Sequence, residues 1–105
     1  MKIVASIEAR MHSKRLPGKV LEDVCGHPVL WHIVQRVKRS DHVHEVVIAT
    51  TVEEGDDPIA EFARENGIKC FRGSEDDVLN RLVKAHDFMQ TDLVVEITGD
   101  SPFVD

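Results

Sequence analysis

Four basic side chains, Arg10, Lys14, Arg15 and Lys19, stand close together in the stretch Ala9-Arg10-Met11-His12-Ser13-Lys14-Arg15-Leu16-Pro17-Gly18-Lys19. One acid, Glu8, flanks them, in a chain whose formal net charge is −6. Arginine grips oxyanions through a bidentate fork, and lysine supplies a compact point charge. Gly18 lets the backbone approach a ligand, and Pro17 stiffens the turn ahead of Lys19. These features suit phosphate binding. A solvated basic loop is the alternative that composition alone leaves open. The stretch is not a Walker loop: Ser13 stands where that motif needs its first glycine, and Val20 where it needs Ser or Thr. A G-x-G-x-x-G dinucleotide fingerprint is also lacking.

The second chemical feature is Thr98-Gly99-Asp100-Ser101-Pro102, directly after an apolar run. A carboxylate there can bind Mg²⁺, which commonly takes one or two carboxylates plus phosphate oxygens. The bland alternative is an aspartate capping the turn before Pro102. Asp105, the final residue of the sequence, is a lesser candidate. Of the six histidines, His42 and His44 are spaced to share one face of a strand; with no third ligand evident they read as a surface pair rather than a zinc site. His27, His32 and His86 read as helix-edge residues, and Trp31 as core or interface. Cys25 and Cys70 form no C-x-x-C and read as reduced thiols of a cytoplasmic protein.

The elements that must position these groups alternate along the chain. Residues 2–7 and 43–50 are short apolar runs that read as buried strands, with a long loop over residues 8–26 after the first. Val29, Leu30, Ile33, Val34 and Val37 share one face of a helix over residues 28–39, with Pro28 in its first turn. Asp57-Pro58 gives an N-cap and a proline start for a second helix, which Asn66-Gly67 ends. Residues 68–71 form a third strand. Ser74-Glu75-Asp76-Asp77 opens a third helix, where the acids also suit the helix dipole. Residues 93–97 form a fourth strand.

The order β-α-β-α-β-α-β predicts an α/β fold, a parallel sheet covered by helices on both faces. With strand order 3-2-1-4, the reversal falls between the first and fourth strands, where ligands bind beyond the carboxyl ends. The loops over residues 9–19 and 98–105 are then the expected site. A chain of 105 residues with 42% hydrophobic and 30% charged residues makes one soluble domain. Its 13 basic residues against 19 acids exclude a generic nucleic-acid binder. No run is long and apolar enough for a transmembrane helix, and Glu8 comes too early for a secretory leader. A receiver-like signalling domain is disfavoured, since the first strand ends in Glu8-Ala9-Arg10 rather than an acidic cluster.

The run from Glu8 to Leu21 resembles the signature of the cytidylyltransferase family. That family includes 3-deoxy-manno-octulosonate cytidylyltransferase, the acylneuraminate cytidylyltransferases and the spore-coat polysaccharide biosynthesis protein F group. The resemblance continues in Gly26-His27-Pro28-Val29-Leu30, in Phe71-Arg72-Gly73-Ser74-Glu75-Asp76-Asp77-Val78-Leu79-Asn80-Arg81, and in Ile97-Thr98-Gly99-Asp100-Ser101-Pro102-Phe103-Val104-Asp105. The last two segments look most like the spore-coat group.

The resemblance implies a three-layer, Rossmann-like nucleotide-diphospho-sugar transferase fold. It implies transfer of CMP from CTP to a sugar, an acidic or amino sugar of surface polysaccharides, with Mg²⁺ and release of pyrophosphate. It places Arg10 and Lys19 on the triphosphate, Ala9, Ser13 and Arg15 in the same loop, and Asp100 on the metal. Arg72, Ser74 and Arg81 would lie near the base, and Thr98 at the nucleotide. Family members are about twice this length, so residues 1–105 are expected to form the nucleotide-binding half alone. A half-sheet would leave a strand edge uncovered and favour self-association or a homodimer. The alternative is a truncated, non-catalytic nucleotide-binding or interaction module of the same fold.

Overall fold

The computed structural model describes residues 2–11, 19–74, 78–89 and 93–98. Strand β1 (Ile3–Glu8) runs through the middle of the main sheet. A 3-10 turn (Lys19–Leu21), a small hairpin of β2 (Asp23–Val24) and β3 (His27–Pro28), and helix α1 (Val29–Lys38) lead to β4 (Glu45–Thr51). A second 3-10 turn (Glu54–Asp56) and α2 (Asp57–Glu65) lead to β5 (Lys69–Gly73), and α3 (Val78–Met89) leads to β6 (Leu93–Thr98).

The main sheet is parallel throughout, in the order β5-β4-β1-β6. Ile7 lies beside Ile48 on one side and Ile97 on the other. Side-chain alternation divides the core into two layers. Ala5, Ile7, Val46 and Ile48 pack with Leu30, Ile33, Val34 and Val37 of α1 and with Ile59, Phe62 and Ala63 of α2. Val4 and Val47, on the opposite face, pack with Met89 of α3, against which Phe71 leans. Helices on both faces explain why β1 and β4 are buried in near-continuous runs rather than at every second residue.

Several local expectations need correction. The connection over residues 8–26 is not wholly irregular, because Val20 is 2% exposed and anchors a 3-10 turn in the α1–α2 layer. Cys25 and Gly26, at the tip of the β2–β3 hairpin, have φ of 53° and 89°. Positive φ at both central residues is the pattern of a type I′ turn, which favours Asn-Gly. A cysteine carries a steric penalty there. Cys25→Asn should therefore stabilise the fold by about 0.5–1 kcal/mol, read as a raised Tm in thermal unfolding.

Helix α2 is entered from Asp56, not Asp57, and the Asp56 carboxylate makes no capping bond because it is engaged elsewhere. His42 and His44 precede β4 instead of sharing a strand face; the Ile3 N–H donates to His44 Nδ1 at 2.8 Å and the His44 N–H donates to the Ile3 carbonyl at 2.8 Å. His27 belongs to β3 and stacks on Trp31, ring centroids 3.7 Å apart, while Trp31 packs partly against the core.

Cys70 is half-buried on the α2 side of the sheet, whereas Cys25 is exposed. Burial pushes the Cys70 thiol up, with the nearby Arg72 charge opposing it. A raised folded-state value means that the unfolded chain releases this proton first as pH rises. The contribution of Cys70 to stability is then complete below the ordinary thiol range and declines above it. Alkylation near neutral pH should label Cys25 first and Cys70 only slowly, as read by peptide mass mapping.

Candidate functional site

The chain crosses from β1 through α1 to β4 and through α2 to β5, then returns past β1 to β6. The reversal therefore lies between β1 and β6, and in open α/β sheets ligands bind beyond the carboxyl ends of the strands at such a point. Glu8 and Thr98 are partners in the last rung of that pairing. The basic loop leaves from the same end. Ala9 is 2% exposed, and its N–H donates to the Ala49 carbonyl at 3.0 Å, carrying the β1–β4 ladder one step further. The loop re-enters the core at Val20, so both of its stems are fixed in one apolar layer.

The first residues of the loop meet a carboxylate that sequence reasoning passed over. Asp56 is 1% exposed. The Met11 N–H donates to its Oδ1 at 2.7 Å, and the Thr51 hydroxyl donates to its Oδ2. Arg10 Nε stands 3.9 Å from the same Oδ2, an ion-pair distance rather than a hydrogen bond. Thr51 Oγ1 also accepts from the Glu53 N–H at 3.2 Å. No local sequence signal marks Asp56 for this role, because its partners Met11 and Arg10 lie more than forty residues away in the chain.

Arg72 and Arg81, expected near a bound base, are engaged with protein acceptors. Arg72 Nε donates to the Thr51 carbonyl at 2.7 Å, and Nη2 reaches the Glu53 carbonyl and Asp57 Oδ1, each at 2.8 Å. It thus laces β5 to the turn between β4 and α2. Arg81 is 0% exposed; Nη2 pairs with Glu8 Oε1, and Nη1 donates to the Ser74 carbonyl at 2.5 Å. A Cβ on Gly73 would stand 2.9 Å from Arg81 Cγ, so a glycine is needed where the arginine stem crosses β5. Ser74 itself is exposed.

The structure thus brings Ala9, Arg10 and Thr98 to one end of the sheet. Lys19 opens the 3-10 turn after the loop. Ser13, Arg15 and Asp100 lie outside the described residues. Among the described residues, no group of three or more His, Cys, Asp and Glu could hold a metal ion, and no helix is long and apolar enough to cross a membrane.

The model of the family described as "Cytidylyltransferase" matches residues 4–105. The chain belongs to the cytidylyltransferase family. Among its relatives is the spore coat polysaccharide biosynthesis protein SpsF of Bacillus subtilis, 40% identical over 107 residues, covering 98% of this chain and 45% of SpsF. A solved cytidylyltransferase from Leptospira borgpetersenii, 39% identical, superposes with a TM-score of 0.92 over 100% of this chain and 44% of its own. A CMP:2-keto-3-deoxy-manno-octonic acid synthetase solved in complex with CTP is 31% identical, with a TM-score of 0.77 over 99% of this chain and 42% of its own. The chain spans under half the length of these relatives, and its α/β architecture with a parallel sheet matches the two solved structures.

Proposed function

We propose that this chain forms the CTP-binding half of a sugar cytidylyltransferase, which transfers CMP to a sugar and releases pyrophosphate. The observation that carries the reading is positional. The basic loop and Thr98 leave neighbouring strands at the reversal of a sheet similar to one solved with CTP. In the proposed reaction a sugar hydroxyl gives up its proton and attacks the α-phosphorus in line, and the bond to the bridging oxygen of pyrophosphate breaks. The protein's work is positioning and charge neutralisation.

Arg10 and Lys19 neutralise the triphosphate, with Ala9, Ser13 and Arg15 lining the same loop. Thr98 borders the nucleotide. Arg72, Ser74 and Arg81 lie near the base. Asp100 would hold Mg²⁺. Mg²⁺ commonly takes one or two carboxylates and draws its other ligands from phosphate and water. That ion supplies charge neutralisation at the phosphates when bound. The acceptor is an acidic or amino sugar, the setting is the cytoplasm where CTP is made, and β6, outermost among the described strands, offers an edge for a homodimer.

Pyrophosphate release with CTP, Mg²⁺ and a panel of acidic and amino sugars tests the reaction, and calorimetry with CTP and Mg²⁺ tests the binding. Heat with CTP but no pyrophosphate with any sugar would leave a nucleotide-binding module. No heat in calorimetry would end both readings.

A further inference from the structure

We infer that Asp56 is a positioning residue for the basic loop: it fixes the backbone at Met11 and orients the Arg10 guanidinium. The inference deepens the function proposed above and rests on it for the nucleotide. A carboxylate that is 1% exposed requires compensation by donors, and here each partner has a separate consequence. Oδ1 takes the Met11 N–H at 2.7 Å, which ties the third residue past β1 to the β4–α2 connection. Oδ2 takes the Thr51 hydroxyl and faces Arg10 Nε at 3.9 Å.

Thr51 is itself 0% exposed, and Arg72 grips its carbonyl at 2.7 Å. The carboxylate therefore sits on a braced turn and not on a mobile one. Asp56 is thus held by the scaffold on one side and holds the loop on the other. The arrangement also restrains Arg10. At 3.9 Å the Asp56 carboxylate holds the direction of the Arg10 charge from the side of Nε. A carboxylate beside a phosphate-binding loop would otherwise repel its ligand. Its burial behind Arg10 and Met11 confines it to positioning.

The test uses amide exchange and calorimetry on Asp56→Ala, Asp56→Asn and Thr51→Val. In folded Asp56→Ala, the Met11 amide should lose its exchange protection while the Ala9 amide, bonded to the Ala49 carbonyl, keeps it. The Kd for CTP with Mg²⁺ should rise about tenfold or more. Asp56→Asn keeps an acceptor for Met11, so it should restore that protection and bring the affinity back to within about threefold of the parent. Thr51→Val removes the hydroxyl that donates to Asp56 Oδ2 and should fall between the two, which keeps the inference testable if Asp56→Ala does not fold. A merely structural role would lower Tm and protection across the sheet and leave the Kd of the folded protein unchanged. Intact Met11 protection in both Asp56→Ala and Thr51→Val, or loss of that protection with unaltered CTP affinity, would overturn the inference. If the parent protein takes up no CTP, the proposed function fails, while the Met11 and Ala9 amides still decide whether Asp56 anchors the loop.

Discussion

Lys19→Ala and Arg10→Ala should each lower kcat/KM for CTP by about 10²–10³, the loss typical of removing one preorganised charge stabiliser from a reacting phosphate or oxyanion. Steady-state pyrophosphate release from the active enzyme is the measurement. The two substitutions differ in what a conservative replacement can restore. Arg10→Lys keeps the charge and loses the planar fork, so it should recover only part of the activity. Lys19→Arg keeps the charge on a bulkier head beside Gly18. Raising the salt concentration should weaken CTP binding more in the parent than in either alanine variant, since each variant has one charge fewer to be screened. Unchanged kinetics in both alanine variants would defeat the assignment of the loop to the triphosphate.

Arg81→Met should destabilise the domain by about 3–5 kcal/mol, a large share of the stability of so small a protein. Arg81 is wholly buried and its partner Glu8 is nearly so, with a side chain 16% exposed. Removing the cation leaves a carboxylate facing the interior at the end of the central strand, and leaves the Ser74 carbonyl without its 2.5 Å donor. Urea denaturation reads the loss directly. The double variant Glu8→Leu with Arg81→Met should be less unstable than Arg81→Met alone, because no unpaired charge remains. An Arg81→Met protein with the parental midpoint would show that the buried pair contributes nothing to the fold. Gly73 belongs to the same argument. A methyl group there would press on the Arg81 stem at 2.9 Å and move the guanidinium away from Glu8.

The alternation of strands and helices was legible because each depends on near neighbours. The apolar face of α1 follows from Leu30, Ile33, Val34 and Val37, and the stop after α2 follows from Asn66-Gly67. The position of the basic loop at a parallel strand end was legible for the same reason. What escaped the sequence depends on groups far apart in the chain. Met11 and Asp56 meet only because β1 and β4 are adjacent, and no local pattern marks an aspartate for that role. Arg72 and Arg81 look like ligand-facing bases in one dimension. In three dimensions they also meet the carbonyls of Thr51 and Glu53 and the carboxylates of Asp57 and Glu8, partners that no local pattern announces. The β2–β3 hairpin was hidden because its tip carries cysteine where asparagine is usual.

The pairing of β1 with β6 has a consequence for the order of assembly. Ile3 lies beside Leu93, and Glu8 beside Thr98, so the central strand completes its hydrogen bonding with a partner from the far end of the sequence. Contacts of such long range carry a loop-closure cost and form slowly. Neighbours β4 and β5 emerge earlier from a ribosome and can dock on β1 without it. The β1–β4 side of the sheet thus exists before the β1–β6 side, and Glu8 and Thr98 come together only when the first and last described strands have met.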